Sequence, residues 1–280
     1  RAAGPVVSGM PNLHSHAFQR AMAGLTETLG DPADSFWSWR TLMYRFAQRL
    51  LPHHLHAIGR HLYIEMLKAG YTSVCEFHYV HHGADGQPYD NPAELAEQIV
   101  RAGEEVGIGM TLLPVLYQYS GFGQSAPLAH QQRFISSPEW ILGLRERMKQ
   151  ALPENGNRRY GVAPPSLRAA SEASRQPPVE GLQHSDPQAP IHIHIAEQTR
   201  EVDDCLANLG QRPVQWLLEH QAIDSCWCLV HATHMDDSEY AAVARSGATV
   251  GLCLTTEANL GDGLFDARQY LAAGGQWGVG

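Results

Sequence analysis

Read for the alternation of apolar and polar positions, the chain breaks into short apolar runs joined by segments with helical spacing. The first run, with Val6, Val7 and Met10, predicts a strand closed by Pro11-Asn12-Leu13-His14-Ser15-His16. Further strands are predicted over 72–78, 108–117, 160–163, 191–196, 227–231, 249–255 and 277–280. Helices are predicted over 42–55, 58–69, 91–106, 138–151, 202–209, 214–220, 238–246 and 265–273. Gly70 suits a C-cap for the second of these, and Pro92 suits an early helical position.

Strands that alternate with helices imply a parallel sheet with helical crossovers. Eight such units in 280 residues match the size of a (β/α)8 barrel. A doubly wound open sheet is the runner-up. The barrel is favoured because polar residues stand at the C-terminal ends of several strands, and only a barrel brings those ends to one place. Residues 169–190 fit badly. Pro177, Pro178, Pro187 and Pro190, with Gly181 and Ser185, are poor helix material. The stretch reads either as a crossover that is mostly loop or as locally aberrant sequence.

Composition narrows the class. Hydrophobic residues make up 44% and charged residues 18%, as in a soluble globular domain with a large core. The formal charge of −9, with no basic stripe, argues against a nucleic-acid partner. Positive charge is nearly all arginine, Lys68 and Lys149 being the two lysines. No apolar run is as long as a membrane span and no signal peptide is visible. Cys75, Cys205, Cys226, Cys228 and Cys253 are odd in number and scattered, which predicts reduced thiols and a cytoplasmic setting. The chain starts at Arg1 and stops at Gly280 inside an apparent strand, so it reads as a barrel domain over 1–280 that is incomplete at both ends. An open seam at strand eight is expected.

Candidate chemistry sits at the strand ends. Strand side chains alternate faces, so His14 and His16 project to one side. With His194 they would give a catalytic zinc three nitrogen ligands and leave a position for water. Glu197, three residues after His194, could move protons between water and a leaving nitrogen. His231 ends the next strand and could stabilise the reacting centre. His192 shares the face of His194 and reads as a packing residue. His53, His54, His56, His81 and His82 carry no chemical role. Taken singly, a His-x-His pair or a lone strand-end histidine is weak. The ordered set makes the metal reading the stronger one.

These strings resemble a known family. His-x-His on strand one, His194-x-x-Glu197 on strand five and His231 on strand six look like the mononuclear deaminase branch of the amidohydrolase superfamily. The stretch from Met10 to Arg20 and the string His192-Ile193-His194-Ile195-Ala196-Glu197-Gln198 resemble the formimidoylglutamate deiminase family. So do the strings that run from Leu229 to His234 and from Leu252 to Gly263. The resemblance implies one zinc per chain on His14, His16 and His194, although the same ligands can hold iron or manganese. It implies Glu197 and His231 at the reacting carbon, and Gln19, Tyr79 and Arg168 on a small dicarboxylate substrate. The implied reaction is hydrolysis of N-formimino-L-glutamate to N-formyl-L-glutamate and ammonia in histidine degradation. No membrane partner is implied, and a homodimer is compatible with it. The family carries Ala-Pro-His-Ser-Leu-Arg where this chain reads Ala163-Pro164-Pro165-Ser166-Leu167-Arg168, so Pro165 replaces a substrate-facing histidine. The family's strand-eight Asp and small β-sandwich are not part of these residues. Two other readings stand beside this one: a deaminase acting on a heterocycle, and a catalytically inactive ligand-binding barrel.

Overall fold

The computed structural model describes residue 4, residues 6–26 and residues 36–280, with backbone alone for 36–38. The strands are β1 Met10–Ser15, β2 Tyr71–His78, β3 Gly109–Pro114, β4 Arg158–Tyr160, β5 Ile191–Ile195, β6 Trp227–His231, β7 Thr249–Leu252 and β8 Gln276–Val279. The helices are α1 Phe36–Ala47, α2 Pro52–Lys68, α3 Glu94–Val106, α4 Pro138–Ala151, α5 Glu172–Ser185, α6 Thr199–Leu209, α7 Pro213–His220, α8 Asp237–Ser246, α9 Leu254–Leu260 and α10 Ala267–Ala272. All strand pairs are parallel, in the order β4-β3-β2-β1-β8-β7-β6-β5.

The two ends of that order also meet. Val162, just past β4, pairs with Ile191. Its N–H donates to Pro190 O at 3.1 Å, and His192 N–H donates to Val162 O at 3.2 Å. The sheet is therefore a closed (β/α)8 barrel. The expected open seam is absent. β8 pairs with β7 along its length and with β1 through Asn12 and Val279, because Leu13 packs over Gly278 and leaves no room for a larger residue there.

Helix ends follow local chemistry. Ser137 caps α4 by accepting Trp140 N–H at 3.1 Å, with Pro138 at the first helical position. Asp236 caps α8 and forms a capping box with Glu239. Buried apolar side chains form two large clusters. One lies around α2, α3 and β2–β3 (Leu55, Tyr63, Ile99, Leu112), the other around β5–β7 (Ile193, Trp216, Leu229, Tyr270). A small third cluster of Leu13, Cys228, Val230 and Cys253 lies apart from both.

Predicted elements shift in several places; α3, for one, starts at Glu94, so Pro92 precedes the helix. Val6 and Val7 lie before the first strand and are 76% and 87% exposed; among the described residues they pair with no strand, whereas Met10–Ser15 pairs with β2. The predicted helix over 42–55 is cut at residues 48–51, and α2 starts afresh at Pro52. Residues 172–185 are helical despite Pro177 and Pro178. There, tertiary packing outweighs propensity. Ser171 caps the helix, Pro178, Val179 and Leu182 are buried, and the buried Arg145 of α4 holds Asp186 at 2.6 Å. Finally, β7 stops at Leu252 and the rest of the predicted strand turns into α9. All five cysteines are free thiols. Among the described residues no helix is long and apolar enough to cross a membrane.

The β4–β5 closure gives a test of the fold. A Cβ on Gly161 would run into Pro190 O, which is backbone and cannot swing away. Gly161→Ala is expected to destabilise by about 1–3 kcal/mol, the usual cost of overpacking. Gly143→Ala, on the exposed face of α4 with nothing near its Cβ position, is expected to stabilise slightly. Denaturant midpoints of the two variants check this. A neutral Gly161→Ala would mean that β4 and β5 are not in contact there.

Candidate active site

The polar strand ends converge on one cavity of about 300 Å³ at the C-terminal mouth of the barrel. His14, His16, Gln19, Tyr79, Arg168, His194, Glu197 and His231 all line it, so the structure brings every sequence-predicted site residue to one place.

Strand alternation alone does not achieve this. The register of β1 against β2 slips between Asn12 and Ser15, a bulge at Leu13–His14. A bulge re-aims side chains. Leu13 thereby packs with Cys228, Val230 and Cys253, while its neighbour His14 reaches His194. In β5, Ile191, Ile193 and Ile195 join the large β5–β7 core cluster, and His194 lies on the other face. Ala196 then adopts φ 49°, and Glu197 follows it into the cavity. In β6, Trp227 and Leu229 join the same core cluster, so an ordinary pleat would send His231 outward with them. His231 and Ala232 instead have φ of 69° and 50°, and the imidazole turns into the mouth. Left-handed backbone at residues other than glycine is strained and concentrates at functional sites.

The three histidines on β1 and β5 face one another. His14 Nε2 lies 2.9 Å from His16 Nε2 and 3.0 Å from His194 Nε2. One nitrogen from each lies within 4.8 Å of the others. His16 Nδ1 sits 3.0 Å from Phe77 O. A carbonyl only accepts, so Nδ1 carries the proton and Nε2 offers its lone pair to the cluster. Burial, with like charges nearby, holds His14 and His194 well below the usual range, and burial takes His16 down to about 3. The set is thus three neutral imidazoles, the form that binds a metal.

Glu76 of β2 supports this end of β1. Its Oε1 accepts Ala17 N–H at 2.6 Å and its Oε2 accepts the Tyr63 hydroxyl at 3.1 Å. Burial pushes it up to about 7.

Across the cavity, His231 Nε2 lies 3.5 Å from Glu197 Oε1, and its Nδ1 lies 3.0 Å from Glu257 Oε1. Burial opposes charge on this imidazole, but Glu197, Glu257 and Asp262 outweigh it and raise the pKa. Glu197 is fixed through its backbone, whose N–H donates to Glu201 Oε2 at 3.1 Å. The cavity's remaining walls are aromatic and cationic. Gln19 Nε2 donates to Tyr79 Oη at 2.9 Å. Arg40 donates to Tyr44 Oη at 2.7 Å and to Tyr117 Oη at 2.9 Å, and Gln131 donates to both phenols. The loop carrying Arg168 is clamped by buried Arg175, which donates to Leu167 O at 3.0 Å and to Ala170 O and stacks over Trp216. Pro165 lines the cavity, and its carbonyl accepts His194 N–H at 3.1 Å.

Sequence reading missed Arg40, Glu76, Glu201 and Glu257. Glu201 had a signal: it is a carboxylate in the first turn of a helix, where backbone N–H groups need acceptors. Arg40 had none, because α1 reaches the mouth only through tertiary packing. His81 and His82, read as loop residues, are buried, each with a ring nitrogen 2.8 Å from a backbone carbonyl oxygen.

A closed parallel barrel with polar strand ends gathered at one mouth is an enzyme architecture whose chemistry is set by the residues at that mouth. The amidohydrolase family profile matches residues 6–280, and the chain belongs to that family. It is 56% identical over 280 residues to the formimidoylglutamate deiminase of Pseudomonas aeruginosa, covering 100% of this chain and 61% of that enzyme. It is also similar to an amidohydrolase of Brucella melitensis, with a TM-score of 0.93 and 51% identity over 98% of this chain and 60% of the other. An atrazine chlorohydrolase from Arthrobacter aurescens, solved with zinc, shares the fold at a TM-score of 0.81 and 19% identity, over 97% of this chain and 59% of its own.

The support under β1 is open to test. Glu76→Ala leaves the Ala17 N–H and the Tyr63 hydroxyl without their acceptor. It is expected to cost about 1–3 kcal/mol for each buried donor left unpaired. Glu76→Gln, which keeps an acceptor, is expected to lose less. Equal thermal unfolding of wild type and both variants would remove Glu76 from this role.

Proposed function

We propose that the protein is a formimidoylglutamate deiminase, with residues 1–280 as its amidohydrolase barrel domain. On this reading it hydrolyses N-formimino-L-glutamate to N-formyl-L-glutamate and ammonia, a step of histidine degradation. The observation that carries the proposal is the meeting of three neutral imidazoles, an acid–base pair and two arginines in one cavity. The 56% identity to the Pseudomonas aeruginosa enzyme supports the choice of substrate.

The donor set suits zinc. His14 Nε2 faces two other imidazole nitrogens, and His16 can meet it only with a lone pair, so a shared cation satisfies all three. His14, His16 and His194 would hold one zinc; iron and manganese accept the same ligands. When bound, the metal supplies a Lewis acid and lowers the pKa of water toward neutrality.

The chain's own residues do the rest. Water adds to the carbon of the C=N bond, the terminal nitrogen leaves as ammonia, and the formyl group stays on the glutamate nitrogen. Glu197 takes one proton from water and gives it to the imine nitrogen, then passes on the second, from the new hydroxyl, as the C–N bond breaks and ammonia leaves. His231, 3.5 Å from Glu197, holds charge beside it. Arg168 and Arg40 would each take one of the substrate's two carboxylates, since a guanidinium suits a carboxylate's geometry. Gln19 and Tyr79 complete the wall between them. A flat heterocycle would offer neither arginine a carboxylate.

Ammonia release from N-formimino-L-glutamate by the zinc-loaded full-length protein tests the proposal. Glu197→Gln should lower kcat by roughly 10²–10⁴-fold while metal content stays constant. Arg168→Met and Arg40→Met should each lower kcat/KM by about 10–100-fold, the worth of a charge-assisted hydrogen bond. Pro165→His should lower KM if the family's histidine contact is the one missing. A chelator should abolish activity and added zinc restore it. Turnover of an aminated heterocycle with none of formiminoglutamate would select the alternative substrate class. Zinc binding without turnover of either would select the inactive barrel.

A further inference from the structure

The sequence string from Leu252 to Gly263 supplies Glu257 and Asp262 beside His231, but no step described so far uses them. The structure folds it into α9 and the turn after it, wrapped under the end of β6. Thr256, Asn259 and Leu260 of α9 line the cavity. Glu257 points the other way and is buried. Its Oε1 accepts Cys253 N–H at 2.9 Å and lies 3.0 Å from His231 Nδ1. Its own carbonyl accepts Asp262 N–H at 2.9 Å.

We propose that Glu257 is a positioning residue for His231, fixing the imidazole as the Nδ1–H tautomer so that Nε2 faces Glu197 and the cavity. Glu257 Oε1 already accepts the Cys253 N–H, so that oxygen is an acceptor here and the proton between the two side chains belongs to Nδ1. Two independent observations agree with this. First, His231 sits in left-handed backbone, which persists only where surrounding contacts over-determine it, and Glu257 supplies such a contact. Second, Glu257 is itself fixed by the Cys253 amide at the start of α9, so the anchor is rigid. The arrangement follows the logic by which a buried carboxylate orients a working histidine in hydrolases. Its consequence for turnover rests on the deiminase reading; the tautomer does not.

The test uses the zinc-loaded full-length protein. Glu257→Leu should lower kcat about 10–100-fold, as loss of an orienting partner does elsewhere, with KM and zinc content within about twofold of wild type. Glu257→Gln, which keeps an acceptor oxygen, should recover most of the rate and covers the case in which the leucine variant fails to fold. In a His231→Asn background, either substitution should have no further effect, because Glu257 acts through His231. Additive losses would overturn the proposal, as would an unchanged kcat in Glu257→Leu. Nitrogen-15 NMR gives a readout apart from turnover. His231 should carry its proton on Nδ1 in wild type and lose that preference in Glu257→Leu. At a pH where the ring is neutral, a proton on Nε2 in place of Nδ1 overturns the proposal; Nδ1–H without release of ammonia from formiminoglutamate means that only the deiminase reading has failed.

Discussion

A strand in a closed barrel can aim only every second side chain at the interior, and it keeps aiming that way until the pleat ends. The mouth of this barrel depends on three local departures from the rule. The bulge at Leu13–His14 lets two consecutive residues of β1 both serve the centre. Left-handed backbone at Ala196 and at His231–Ala232 turns β5 and β6 as they leave the sheet. Residues in such conformations cost on the order of 1–3 kcal/mol each and need outside support. Backbone bonds give part of it: Ala232 N–H donates to Ile195 O and His234 N–H to Ala196 O, both at 3.0 Å. The two strained turns thus hold each other, and neither would keep its shape if the other relaxed.

The same turns gather charge that a protein interior resists. Glu197, Glu201, Glu257 and Asp262 are all buried around one imidazole. Burial, with Glu197 close by, pushes Asp262 up to about 7. Burial also raises Glu201, with Arg168 opposing the shift. Hydrogen-bond donors offset part of the cost. Cys253 N–H serves Glu257, Gln198 serves Asp262, and the Glu197 amide serves Glu201. A neutral triad of imidazoles lies opposite this acidic group. On the proposed reading, a divalent cation between them offsets the carboxylates and uses the lone pairs together.

The sequence carries the barrel because its evidence repeats. Alternating strands and helices point to one architecture, and errors at single ends, such as Val6–Val7 or β7, do not disturb it. His14, His16, His194, Glu197 and His231 were legible for a different reason, their strand-end places and spacing, whereas Gln19, Tyr79 and Arg168 came only with the family resemblance. What stayed hidden has a physical cause in each case. The helix over Glu172–Ser185 forms through packing on its neighbours and a buried arginine, and neither is visible in a proline-rich string. Arg40 meets Tyr117 only after a long stretch of chain has folded back. Glu257 lay in plain view within a quoted string, but its role depends on a strained turn at His231 that no periodicity predicts.

The two large core clusters also divide the labour of the mouth. The cluster around α2, α3 and β2–β3 backs Phe77, Tyr79 and Phe134, against which Gln19, Arg40 and Tyr117 are set. The cluster around β5–β7 backs His194, Glu197 and His231. β1 joins them at the centre: His14 and His16 stand on the first half and meet His194 from the second, and Phe77 of β2 packs on the same His194. On the proposed reading, Gln19, Tyr79 and Arg40 are set on the first core, whereas Arg168, between Leu167 and Ala170, shares the second with Glu197 and His231. Such a division lets the wall set on the first core vary without moving the acid–base pair. It also gives the bulge in β1 its importance, because a shift there changes the distance between the two halves directly.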